Sequence, residues 1–223
     1  MRFCVGCACL AVLLVAPAPG AAAAAPAHDG RLIEAAAAGD AALVSQSLRA
    51  GASVHARDAQ GRTALVAATY GNHVAAARVL VDAGADVNAQ DGLRNSAFLL
   101  AGARGYLEIL RLALAHGADL RSTNRYGGTA LIPACHYGHV ETVRALLATR
   151  IDVDHVNNLG WTALLEAIIL GDGGERHTAI VRLLLAAGAN VNLADRQGVT
   201  PLAHARTRDQ SAIARLLEKA GAR

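Results

Sequence analysis

Along this chain short apolar stripes alternate with glycine-rich polar turns, and the alternation has a helical period. From Asn124, Gly127 and Gly128 make a tight turn, and Ala130, Leu131, Ala134 and Cys135 then cover one side of a short helix. Thr129 is placed to cap that helix, and Tyr137 and Gly138 to end it. A second helix is predicted from about His139 to Thr149, where Val140, Val143, Leu146 and Leu147 recur at three-or-four spacing and form an inward stripe. Arg144 and Arg150 face outward. A unit of this size cannot bury its own apolar faces, so its neighbours must supply the rest of the core.

The unit repeats. DAQGRTAL at Asp58, DGLRNSAF at Asp91, NRYGGTAL at Asn124, NNLGWTAL at Asn157 and DRQGVTPL at Asp195 are variants of one phrase, separated by 33, 33, 33 and 38 residues. The second helices are followed by GASVHA from Gly51, GADVNA from Gly84, GADLRS from Gly117 and GANVNL from Gly188, in which glycine ends the helix and a valine or leucine tucks inward. Arg150 takes the glycine position in one unit, which predicts a weaker helix end there. Two alanine-rich helices around Gly39 and Asp40, between Arg31 and Gly51, close one end, and Ser211 to Ala220 closes the other with Arg215, Glu218 and Lys219 in solvent. The extra five residues, 171–175, fall between the two helices of the fourth unit, where three glycines predict a flexible lip. That lip has no phosphate-binding pattern.

These phrases, with VRLLLAAG at Val181 and GADVNA at Gly84, resemble the ankyrin repeat family over residues 29 to 223. The resemblance implies an all-α repeat solenoid of stacked helix-turn-helix units with projecting β-turns, about six units counting degenerate caps, binding proteins and not catalysing. Two departures bear on it. The histidine common after T-P-L is replaced by Val66, Leu99, Ile132, Leu165 and Ala203, removing a polar connection to the capping threonine. Arg94 falls where the turn glycine usually sits, so a shifted loop is expected in the second unit.

Only Phe3, Phe98 and Trp161 are Phe or Trp, while alanine and leucine abound, which suits close helix packing and argues against a disordered chain. Arg2, the apolar run Phe3 to Ala16 and the Ala25-Pro26-Ala27 site read as a cleavable export signal over 1–27, leaving a repeat domain over 28–223. An uncleaved anchor or a misassigned start are the competing readings, the second placing the module in the cytoplasm. Cys4, Cys7 and Cys9 lie inside that run, which makes them poor metal ligands, and their removal leaves Cys135 alone. The formal charge of +3 shows no dense basic stripe, so no nucleic-acid partner is expected.

Candidate chemistry is sparse. His73, His139 and His177 open equivalent second helices too far apart to share a metal, and repeated capping accounts for them better. Cys135 and His136 are neighbours on a helix and point apart, so no catalytic pair and no cofactor site are expected. Turn and first-helix residues recur on one side, which groups Arg62, Tyr70, Arg104, Arg125, Tyr126, Tyr137 and Trp161 as a partner site. Aromatics bury large area at small rotamer cost, and arginine favours an acidic patch. The expected function is a monomeric protein-binding module, a periplasmic or secreted scaffold or modulator, with a nonspecific protective accessory as the alternative and an unrecognised enzyme behind both.

Overall fold

The computed structural model describes residues 21–223; Cys4, Cys7, Cys9 and most of the expected leader lie outside the described residues. Twelve helices are described, in six consecutive pairs. They are α1 (Ala21–Ala38) with α2 (Ala41–Arg49), α3 (Ala64–Tyr70) with α4 (Val74–Asp82), and α5 (Ala97–Arg104) with α6 (Leu107–Ala115). The series continues with α7 (Leu131–His136) and α8 (Val140–Leu147), α9 (Ala163–Ile169) and α10 (Glu175–Ala186), and α11 (Pro201–Thr207) and α12 (Ser211–Lys219). No strand is formed among the described residues, only an isolated antiparallel bridge between Arg57 and Thr63. The chain is an all-α solenoid: each first helix packs on the first helix of the next pair, and each second helix on the next second helix. None of the described helices is long and apolar enough to cross a membrane.

The first helices form the middle of the stack. Every residue from Ala64 to Thr69 in α3 is buried, which explains the alanines: small side chains let helices on both sides approach. One close approach is at Gly102 in α5, where an added Cβ would stand 2.8 Å from the Cβ of Ala130. The second helices carry one stripe each, such as Ile109, Leu110, Leu112 and Ala113 in α6 or Ile213, Ala214 and Leu217 in α12. Emptying one of those sites, as in Leu146→Ala, costs about 2–5 kcal/mol. α1 starts ten residues before Arg31, because the alanine run upstream is itself a strong helix former.

One side chain builds all five turns. Asp58, Asp91, Asn124, Asn157 and Asp195 each accept, through Oδ1, the backbone N–H groups two and four residues ahead. A threonine or serine then caps the first helix: Thr63, Ser96, Thr162 and Thr200 accept from the N–H three residues on. Thr129 does not, contrary to expectation. Pro133 sits where Ala67, Leu100, Glu166 and His204 donate to the carbonyl of their capping residue. Without that N–H, the Ile132 N–H turns to the Thr129 carbonyl at 3.3 Å, α7 starts one residue late, and the Thr129 hydroxyl is buried without a partner.

Other departures are repaired. Arg94 adopts φ +61°, the left-handed value that Gly61, Gly127, Gly160 and Gly198 hold in the sister turns, so the expected shift does not occur. Its loop closes with the same bonds, Arg94 N–H to the Asp91 carbonyl and Asp91 N–H to the Asn95 carbonyl, both 2.9 Å. At Arg150 the chain has no left-handed residue; the Thr149 hydroxyl instead donates to the Leu146 carbonyl at 2.6 Å and accepts from the Ile151 N–H at 3.2 Å. It thus bridges the groups that bond directly at Ala52 and Ser47 or Ala189 and Leu184, an indirect closure at the helix end where a weaker cap was expected.

Hydrogen bonds tie the insertion, expected to be a flexible lip, to its own second helix and to the next unit. Asp172 accepts from the Gly174 N–H at 2.9 Å and from His177 Nδ1 at 2.7 Å, and the Gln210 amide donates to the Gly171 carbonyl. A Cβ at Gly171 would lie 2.1 Å from the Ala167 carbonyl oxygen, so the turn is closely packed.

Candidate functional site

Five of the six large apolar side chains that the described residues expose face one groove of roughly 1000 Å³: Leu93, Tyr126, Tyr137, Leu159 and Leu170. Its walls are turn tips on one side and first helices α5, α7 and α9 on the other, so residues more than 70 positions apart share it. Of the residues grouped from sequence, Tyr70, Arg104, Arg125, Tyr126 and Tyr137 line this groove. Arg62 and Trp161 do not.

The reasons are local. Arg62 Nε donates to Asp58 Oδ2 at 2.7 Å within its own turn, and although burial works against ionisation, the bonds from Arg62 and Gln60 hold the Asp58 carboxyl below its usual range. Trp161 is half-buried, its backbone closing the fourth turn with Asn157. Tyr70 reaches the groove but is committed: it donates to Asp91 Oδ2 at 2.9 Å and accepts from Asn95 at 2.8 Å. Burial, then the Asp91 carboxylate, pushes its phenol up. Tyr126 and Tyr137 remain more than half exposed. The Arg125 guanidinium lies 4.8 Å from the Tyr126 ring centre and donates to its hydroxyl at 3.0 Å, while Tyr137 stacks on His136 at 4.2 Å.

The floor holds what the sequence reading missed. Glu166 in α9 is nearly buried and lines the groove. Asn157 donates from Nδ2 to its Oε1 at 3.0 Å, and His136 Nδ1 stands 3.6 Å from its Oε2. Burial, only partly offset by Asn157, pushes the Glu166 carboxyl up to about 7. Burial, then the nearby His177, lowers His136, which is therefore mainly neutral at neutral pH. Cys135 beside it is wholly buried, and burial and Glu166 push its thiol well up, so it offers neither access nor a thiolate. The available signal was the partner position: where Glu166 stands, three other units carry Ala67, Leu100 and Pro133.

The histidines have a structural use that differs from the expected capping of their own helices. His73 Nε2 donates to the Ala37 carbonyl at 3.0 Å, His139 bonds to the Ala103 carbonyl, and His177 Nε2 donates to the His136 carbonyl at 2.9 Å. Each ring crosses to the end of the preceding unit's first helix, stapling consecutive pairs. Gln210 does the same at the Ile168 carbonyl. No group of three or more His, Cys, Asp or Glu suited to a metal occurs among the described residues.

A family model described as ankyrin repeats in three copies matches residues 32–124 and 98–195. A solved ankyrin repeat domain from Acinetobacter baumannii AYE superposes with a TM-score of 0.84 at 59% identity, covering 86% of this chain and 98% of that one. A second solved ankyrin repeat protein gives 0.82 at 39% identity over 86% of this chain and 98% of its own. An Escherichia coli (strain K12) protein named for ankyrin repeats, YahD, is 54% identical over 57 residues, which are 26% of this chain and 28% of that protein.

Proposed function

The chain belongs to the ankyrin repeat family, whose repeats form protein–protein interaction modules, and on that premise we propose that it binds a single protein partner through the groove between Tyr70 and Leu170. The observation that supports this reading is the convergence of Leu93, Tyr126, Tyr137, Leu159 and Leu170 on one surface. Exposed apolar area of this kind is typical of an interaction face. Tyr126 and Tyr137 are the anchors, held by Arg125 and His136, and Arg104 and Arg125 suit acidic residues at the edge of the partner. Catalysis forms no part of the proposal.

An exported, periplasmic setting belongs to the same proposal, the module acting as a scaffold or modulator of another exported protein. Arg2, the run Phe3 to Ala16 and the Ala25-Pro26-Ala27 site support it. The test is photo-crosslinking of the full chain in a bacterial host, with the crosslinker at position 137 in the groove or at exposed position 182 outside it. One dominant partner captured from 137, lost on Tyr126→Ala, and a mature N-terminus near His28 are expected. Equal capture of many proteins from both positions would overturn specific docking, and an intact N-terminus in the cytoplasmic fraction would overturn export.

A further inference from the structure

The groove is apolar at its lip and acidic at its floor. Glu166 is the one carboxylate lining it, and its nearest protonatable neighbour, His136 Nδ1, stands beyond hydrogen-bond distance. Asn157 satisfies Oε1 with a neutral donor, and among the described residues nothing donates to Oε2 at hydrogen-bond distance, His136 Nδ1 being 3.6 Å away. The corresponding contact in the next unit is a direct side-chain bond, His204 Nε2 to Asp195 Oδ2 at 2.7 Å. A nearly buried carboxylate with one neutral hydrogen bond is costly to keep ionised, and a cation brought to Oε2 removes much of that cost.

We propose that the docked partner segment inserts a lysine or arginine side chain between Tyr137 and Leu159 to meet Glu166, with apolar residues on either side packing on Tyr126 and Leu170. The inference rests on the groove being the docking site and adds the chemistry at its centre. Charge complementarity selects the occupant: Arg104 and Arg125 at the edge repel a wholly basic segment, so the basic residue is single and central, with acidic residues toward the ends. Burial, then His177, lowers His136, which weakens it as a counter-ion for the floor.

The test uses a displayed library of random twelve-residue peptides selected on the full chain at pH 8, with circular dichroism melts to confirm that each variant is folded. Enriched peptides are expected to share one Lys or Arg flanked by apolar residues. Their binding should fall tenfold or more on Glu166→Gln and be lost on Tyr126→Ala/Tyr137→Ala. Replacing the peptide's basic residue by Met should cost as much as Glu166→Gln, and the two together little more. Peptides that need Tyr126 and Tyr137 but lack a basic residue, or ignore Glu166→Gln, would overturn this inference and leave the groove standing. Enriched peptides indifferent to the tyrosine pair would overturn both.

Discussion

Asn157 and Asp195 hold the same place in successive turns, and each reaches the side chain nine residues ahead, yet the two contacts are opposite in kind. Asp195 meets His204 at 2.7 Å; burial works against its ionisation, but the bonds from His204, Val199 and Gln197 prevail and keep the carboxyl below its usual range. Asn157 meets Glu166, and burial prevails. The fifth unit gives its carboxylate a direct histidine bond as well as two backbone N–H groups, whereas the fourth, on the groove floor, gives Glu166 only a neutral amide. Elsewhere in the stack departures from the repeat are mended within a few residues, as Thr149 mends Arg150. Among the described residues, Glu166 on the groove floor has only the neutral Asn157 amide within hydrogen-bond distance. The Thr129 hydroxyl of the third turn is buried without a partner, as Ser47 Oγ and Gln210 Oε1 are elsewhere in the stack.

The strongest way to break the contrast is Asn157→Asp, which copies the fifth turn into the fourth and sets two carboxylates face to face. A loss of about 3 kcal/mol is expected at pH 8, the scale of an uncompensated buried charge. It should shrink at pH 5 as Glu166 takes up a proton, which urea denaturation at the two pH values measures. Next, Thr149→Val removes the hydroxyl bridge and should cost about 1.5 kcal/mol, within the usual range for stranding buried polar groups. Adding Arg150→Gly should recover most of that loss by restoring the direct helix cap, a coupling that thermal melts resolve.

Glu166→Gln sharpens the contrast through pH. The folded carboxyl titrates at about 7 against 4.5 in the unfolded chain, so the folded state holds its proton more tightly between those values. Stability from this group is therefore present below about 4.5 and lost as pH rises toward 7. Asp195 has the opposite sign: its folded pKa lies below 3.8, so its contribution is present above that value and lost as pH falls through the folded pKa. The other titratable groups beside Glu166 are His136 and Cys135 from α7, while His177 from α10 is bonded to Asp172 and His204 from α11 to Asp195. Glu166→Gln should flatten the profile between pH 4.5 and 7 and leave the protein more stable at pH 8 by about 1 kcal/mol, groove water screening the full effect. The smallest change is Arg94→Gly, which should add about 0.5 kcal/mol, relief of left-handed strain being partly offset by greater chain entropy.

The repeat, the helix pairs and the turn glycines were legible because each depends on residues within one unit. Contacts between units were not. His73 and His177 are spent on carbonyls 36 and 41 residues away, and no local pattern distinguishes a staple from a cap. Thr129 matched its sisters in sequence, but the missing N–H of Pro133 cancels its cap. Recurrence on one side grouped the tyrosines and Arg125, which share the groove, with Arg62, which instead turns back to Asp58 four residues earlier. Glu166 escaped because its meaning depends on burial and on Asn157, which reads as an ordinary turn residue.

The most direct measurement is a carboxyl-carbon NMR titration of the free protein, with the Glu166 resonance assigned by its disappearance in Glu166→Gln. A midpoint near 7 would show a groove floor that lacks a positive partner, as this account requires. A midpoint near 4.5 would mean that the carboxylate is already satisfied, and would contradict it.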